Sequence, residues 1–250
     1  MEKTEDSATA QAAQKKGLQH EREYAEQLKQ QHKSFIDIND KASALDTKVA
    51  ETLTAMQKGV EIIYQAAFKV DSFIGYADFL RKVEDPSNFG NYSYEVLDTK
   101  LSKTEKAKFV LQLACYAWML ERVQGVAPKK IYIVLGDKQS ISYRVADFYH
   151  YFLEAKDRLL AFVETKKDTY PNPCSKCDLC HWKAKCEDQW IQDDHLSQVA
   201  NIKKVQIKRL NENKINTMKD LALMPDSQNI NKISEHVLIR LKHQAKLQYE

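Results

Sequence analysis

Two acids and an ammonium carry the most chemistry in this chain: Asp78 in Gly-Tyr-Ala-Asp-Phe-Leu, and Asp98 with Lys100 in Asp-Thr-Lys. Both stretches alternate and are rich in Tyr, Phe, Val and Leu, the composition of strands. A period of two sets Asp98 and Lys100 on one strand face, about 7 Å apart at Cα, so both can converge on one bound group. The two carboxylates can hold a divalent cation with the ammonium beside it. Hydrolysis of a phosphodiester needs such a set. The cation lowers the pKa of water and neutralises charge on the phosphoryl oxygens, while a lysine orients the water or donates to that charge. Read alone, Asp-x-Lys is a common tripeptide and reads first as a surface strand with an ion pair; its company is what points to chemistry.

A second cluster lies further on. Four of the five cysteines, Cys174, Cys177, Cys180 and Cys186, fall in one short stretch. In a reducing compartment such density reads as metal or cluster binding, and the spacing suits zinc and an iron-sulfur cluster equally. Cys115 stands alone and is expected in the core, as a small apolar residue. His181 is expected to be a loop residue.

The elements that must position these groups follow from periodicity. Residues 1–16 lack it and are expected to be a flexible terminus or a frayed helix start. From Gly17, Leu18, Tyr24, Ala25 and Leu28 share one helix face, and the same helix carries His20 and Glu21, which could reach a cation held by the strands. A short strand at 34–38 and a helix at 45–58, capped by Gly59, come next. Strands are predicted at 60–66 and 68–79, with Asp71 in the turn between them. The run Asp85-Pro-Ser-Asn-Phe-Gly-Asn91 is turn chemistry, so the Asp78 and Asp98 strands are expected to pair antiparallel. Gly75 inside a strand pattern points to a bulge or a close backbone approach.

A helix at 104–124 places Gln112 and Tyr116 on one face. Strands at 131–135 and 141–145 complete a mixed, largely antiparallel sheet. A helix at 147–163, carrying Tyr149, Tyr151, Phe152, Leu159, Leu160 and Phe162, is expected to be largely buried. After the cysteines, Asp193, Asp194 and His195 read as capping residues. Helical spacing from Val199, a turn at 213–216 and a new helix from Thr217 resemble a helix-hairpin-helix module, which grips DNA backbone through amides and lysines. Lys203, Lys204, Lys208, Arg209 and Lys214 cluster there, as a phosphate-facing surface or as a solvated helix face. A last helix is expected from Asn231.

Four motifs then stand in order: Gly17-Leu-Gln-His20-Glu21, Gly75-x-x-Asp78-x-Leu80-x-Lys82, Glu95-Val-Leu-Asp98-Thr-Lys100 and Gln112-x-x-x-Tyr116. Together they resemble the RecB-like branch of the PD-(D/E)XK nuclease superfamily. Leu120-Glu-Arg-Val-Gln-Gly125, Val134-Leu-Gly-Asp137, the cysteines and Asp194-His-Leu-Ser197 extend the likeness over residues 15–225. The likeness is to bacterial RecB-like nucleases that usually continue into an RNase H-like exonuclease domain, and the chain is expected to stop where that domain would begin.

The resemblance implies an α/β restriction-endonuclease-like core that hydrolyses DNA phosphodiesters. In it His20, Asp78, Asp98 and the Thr99 carbonyl would hold Mg2+ or Mn2+, with Glu21 as a further acid. Lys100 would position water; Gln112 and Tyr116, with Lys204 and Lys208, would contact the strand. A nitrogen ligand makes manganese as suitable as magnesium. In the resembled family, the pattern matched by Cys177, Cys180 and Cys186 joins a cysteine upstream of the first helix around a [4Fe-4S] cluster. No cysteine precedes His20 here. The reading frame is shortened, or Cys174 supplies the fourth thiolate, or zinc replaces the cluster. A four-cysteine site that includes Cys174 is expected, holding an iron-sulfur cluster ahead of zinc as the resemblance implies.

With 250 residues and 43% hydrophobic composition, the chain can bury one good core plus an appendage. A net charge of +3 is too small to specify a partner. No apolar run has the length of a membrane span, and the N-terminus lacks a secretory apolar core, so a cytoplasmic protein is expected. The expected organisation is a terminus (1–16), a nuclease core (17–170), a cysteine module (171–190) and a helical tail (191–250). The expected activity is an exonuclease on single-stranded DNA or DNA ends in repair or recombination, partnered by a helicase or exonuclease domain and without a small-molecule ligand. Two alternatives are a catalytically idle DNA-binding protein of nuclease fold and a zinc-ribbon-like interaction module.

Overall fold

The structure, a computed structural model, describes residues 8–39, 44–166 and 168–249, with side chains from Ala10 onward. Residues 1–7 of the expected flexible terminus lie outside the described residues. The first helix, α1 (Ala8–Gln31), begins earlier than the apolar pattern that starts at Gly17. The chain divides into two compact units: Ala12–Lys167, and residues 168–249 with the described residues before Ala12.

In the first unit a six-stranded sheet runs in chain order, β1 (Phe35–Asp37), β2 (Ile62–Val70), β3 (Phe73–Val83), β4 (Ser93–Thr99), β5 (Lys130–Val134) and β6 (Ser140–Arg144). The β1–β2 and β4–β5 pairs are parallel and the other three antiparallel, a mixed sheet of the expected kind. On one face, Ala25 and Leu28 of α1 cover Ile62, Phe79 and Leu97. On the other, α2 (Leu45–Gln57), α3 (Ala107–Gln124) and α4 (Ala146–Thr165) enclose the main core around Ile63, Leu80, Val96, Leu113 and Leu120. Every residue of β4 is buried, as a strand covered on both faces must be.

Buried polar side chains lock β4 in place. The Gln124 amide, fully buried at the end of α3, accepts from Tyr94 N (2.8 Å) and donates to Tyr94 O (3.2 Å) and Val126 O (2.9 Å), so it pairs with the strand as a peptide group would. Gly125 then ends the helix at φ 76°, in the left-handed region. Glu95 accepts from Tyr132 Oη (2.9 Å) and Lys130 N (3.0 Å) and meets Arg81, bridging β3, β4 and β5.

The expectation for the helix that became α4 is corrected. Phe152 is its one buried residue among the described side chains, whereas Tyr151, Leu159, Phe162 and Val163 are exposed. The helix rests on α3 and edge strand β6, so one stripe is covered while its apolar residues run around more of its circumference. Strand β2 also runs on to Val70 before the turn, where Asp71 takes φ 51°.

The second unit contains α5 (Lys183–Gln192), α6 (Lys204–Glu212), α7 (Met218–Ala222) and α8 (Glu235–Tyr249) around Leu196, Leu210, Leu221 and Leu241. Thr217 caps α7 reciprocally with Asp220. Asp194 caps the same helix, accepting from Lys219 N at 2.8 Å. Among the described residues no helix is long and apolar enough to cross a membrane.

Candidate active site

The β3–β4 register sets Phe79 opposite Leu97; continued one step, it sets Asp78 opposite Asp98. The turn-linked hairpin therefore delivers both acids to one point, and α3 closes over them. Asp78 Oδ2 accepts from Thr99 N (2.9 Å) and Thr99 Oγ1 (3.0 Å). The Asp98 side chain is 1% exposed. Lys100 Nζ forms an ion pair with Asp98 Oδ2, yet neither Asp98 oxygen has a partner in hydrogen-bond geometry. Burial, then the charge of Asp78, pushes the Asp98 carboxyl up to about 7; Lys100 opposes the shift. The Lys100 ammonium also lies 5.5 Å from the centre of the Phe109 ring.

α1 contributes the next groups. Glu21 is buried, and desolvation followed by Asp78 raises its pKa. Gln65 donates to Glu21 Oε1, and the Tyr64 phenol, with Gln65, opposes the upward shift of that carboxylate. The Nε2 atom of His20 is buried without a hydrogen-bond partner. From α3, Gln112 Nε2 donates to Tyr116 Oη at 3.3 Å, and the phenol of Tyr116 is raised by burial with smaller contributions from Asp98 and Asp78.

Gly75 accounts for the approach of Tyr116. A Cβ there would stand 2.7 Å from Tyr116 Cε1 and 3.2 Å from Met119 Sδ, so the missing side chain lets the ring lie on β3, three residues from Asp78. Gly75→Ala is expected to cost about 1–3 kcal/mol of stability through overpacking and to displace Tyr116. Thermal melts and cleavage rates of Gly75→Ala beside Tyr116→Phe would check this; unchanged stability and rate would remove the close approach from the account.

Among the described residues no three His, Cys, Asp or Glu side chains are arranged to hold a metal ion. The chemistry around Asp98 nevertheless fits a hard divalent cation: two opposed acids share one ammonium in a buried setting, and both Asp98 oxygens lack a partner in hydrogen-bond geometry, while the unpartnered His20 nitrogen on α1 is not gathered with both acids. Asp98 faces Lys100 and Asp78 faces Thr99, which is how like charges find compensation inside the protein.

In the second unit, Cys174 and Cys177 come together, Sγ to Sγ 3.9 Å, and Cys174 N donates to Cys177 Sγ. That separation is close to the ligand-ligand edge of a tetrahedron with metal–sulfur bonds of about 2.3 Å. Hydrogen bonds, chiefly from Lys176, lower the Cys174 thiol. Cys180 is exposed and Cys186 half-buried. Lys204 and Lys208, one turn apart on α6, line a cavity of about 760 Å³ with Cys174 and His195.

Gln65 and Tyr64 were missed by sequence reasoning. The available signal was a glutamine inside the apolar run Ile62-Ile-Tyr-Gln-Ala-Ala-Phe68, which otherwise reads as an uninterrupted strand.

A mixed sheet with helices on both faces, bearing opposed acids and a lysine on its central hairpin, is the framework of a metal-dependent nuclease. The chain matches the family model of the PD-(D/E)XK nuclease superfamily over residues 1–187 and belongs to that superfamily. No curated protein matches it.

Proposed function

We propose that the protein is a deoxyribonuclease of the RecB-like branch that uses Mg2+ or Mn2+ and trims single-stranded DNA or DNA ends. The observation that carries the reading is Asp98: a buried carboxylate opposed to Asp78, ion-paired to Lys100, with neither oxygen in hydrogen-bond geometry. Two acids sharing one ammonium in a buried setting leave an excess of negative charge, which is costly, and a cation is the partner such surroundings suit.

His20, Asp78, Asp98 and the Thr99 carbonyl would hold the cation, with Glu21 as an adjacent acid. When bound, the cation would lower the pKa of water and neutralise developing phosphoryl charge. Lys100 orients the attacking water from the edge of the site, where its side chain is 20% exposed. Gln112 and Tyr116 hold the substrate strand against α3. Lys204 and Lys208 of the second unit take backbone phosphates, a contact without sequence information.

The cysteines, with Cys174 as the fourth thiolate, would hold a [4Fe-4S] cluster or zinc. The approach of Cys174 to Cys177 supports this, and metal analysis of anaerobically purified protein separates iron from zinc. A cytoplasmic role in repair or recombination beside a helicase or exonuclease domain fits the activity.

End-labelled single-stranded DNA incubated with the protein and Mn2+ tests the reading. Shortened products that disappear on chelation are expected. Tight binding of intact DNA without products would overturn it in favour of a catalytically idle binding protein.

A further inference from the structure

Eight non-glycine residues have positive φ among those described, and seven of them lie at turns or helix ends. The eighth, Gln65, takes φ 55° inside β2. A left-handed backbone is unfavourable for a residue with a Cβ and persists where its surroundings impose it.

The consequences are visible in the packing. Tyr64 and Phe79 face the α1 side of the sheet, while Ile63 and Leu80 face the α3 side. Strict alternation would return Ala66 and Ala77 to the α1 side, yet both join the α3 side. Alternation therefore breaks at the same level in both strands, between Tyr64 and Ala66 and between Ala77 and Phe79. The β2–β3 register is unchanged across it: Tyr64 pairs with Phe79 and Ala66 with Ala77, which leaves Gln65 opposite Asp78. The Gln65 amide at the break donates to Glu21 Oε1. An ordinary strand residue would point away on one face and leave that buried acid to Tyr64.

We propose that Gln65 is a positioning residue: the break in β2 aims its amide at Glu21 and fixes that carboxylate beside Asp78, at the edge of the cation site. The assignment rests on the cation-binding reading above. Gln65 touches neither cation nor DNA; it acts through Glu21. The backbone strain is retained because relaxing it would turn the amide away from the acid.

Two variants separate this role from that of a plain staple between α1 and the sheet. Gln65→Asn tolerates the left-handed backbone but is one methylene too short for Glu21, and Gln65→Gly relieves the strain and removes the amide. Gln65→Gly, which relieves the strain, is expected to melt near the native temperature, and Gln65→Asn, which leaves Glu21 a donor short, somewhat below it. Their Mn2+ affinity, read by titration calorimetry, is expected to fall about 10-fold or more, in the range seen when groups supporting metal ligands are removed. Cleavage of DNA should lose kcat with KM little changed.

Native Mn2+ affinity in both variants, whatever their stability, would overturn the proposal. Native protein that binds Mn2+ but cuts no nucleic acid would end the nuclease reading, whereas weakened Mn2+ binding in the variants would still uphold Gln65. Native protein that binds no Mn2+ would end both.

Discussion

Asp98→Asn is expected to abolish cleavage and, at pH 8, to raise the melting temperature of the cation-free protein. Asp98 titrates near 3.8 when solvated and at about 7 in the fold, because burial and Asp78 disfavour its charge. A carboxyl whose folded pKa lies above its unfolded one stabilises the fold fully below about pH 4. That contribution is lost as pH climbs towards 7, and at pH 8 the whole cost of the buried charge is present. The gap corresponds to on the order of 4 kcal/mol at most.

Asparagine keeps the shape without the charge, so a gain of about 1–3 kcal/mol is expected at pH 8 and little gain at pH 4, where Asp98 is already neutral. Cleavage should fall at least ~10³-fold, since several kcal/mol of transition-state stabilisation leave with the cation. Melts at the two pH values with and without Mn2+ check the sign: Mn2+ should stabilise the native protein and leave the variant unmoved. A variant less stable at pH 8 that still cuts DNA would remove Asp98 from the site.

Lys100→Ala has the opposite structural signature. The ammonium is the compensating charge for Asp98, and stripping it from an acid only 1% exposed costs about 3–5 kcal/mol while that acid stays charged, a cost that Asp98→Asn avoids because the Lys100 left behind is 20% exposed. Lys100→Ala is therefore expected to be destabilised at pH 8 and much less so at pH 5, where Asp98 takes a proton. Adding Asp98→Asn should restore most of the loss, a non-additivity expected of contacting groups. Cleavage by Lys100→Ala should drop about 10²–10³-fold, the scale of one preorganised donor. DNA affinity should stay within about twofold, because the phosphate contacts are assigned elsewhere. Undiminished cleavage would take Lys100 out of the mechanism.

Much of this was legible from residue types alone. The turn chemistry between Asp85 and Asn91 and the alternation on either side of it fix an antiparallel hairpin, and with it the meeting of Asp78 and Asp98. Gly75 in a strand pattern announced a close approach, and the ring of Tyr116 fills it. The i, i+4 spacing of Gln112 and Tyr116 is realised as a hydrogen bond. What stayed hidden depends on packing that no local period encodes. The reversal at Gln65 requires β2 and β3 to break together, and a lone glutamine in an apolar run marks the place without encoding the break. In α4 the apolar count was high, but how much of a helix is covered depends on how many elements lie against it. Gln124 is likewise an unremarkable helix-end residue until β4 is set beside it.

Calorimetric titration of Mn2+ into the native protein, Asp78→Asn and Asp98→Asn at pH 8 is the most direct test that these acids share one cation. Saturable binding is expected in the native protein, and its loss in both variants. Equal binding in all three, or binding lost in neither acid variant while DNA is still cut, would contradict it.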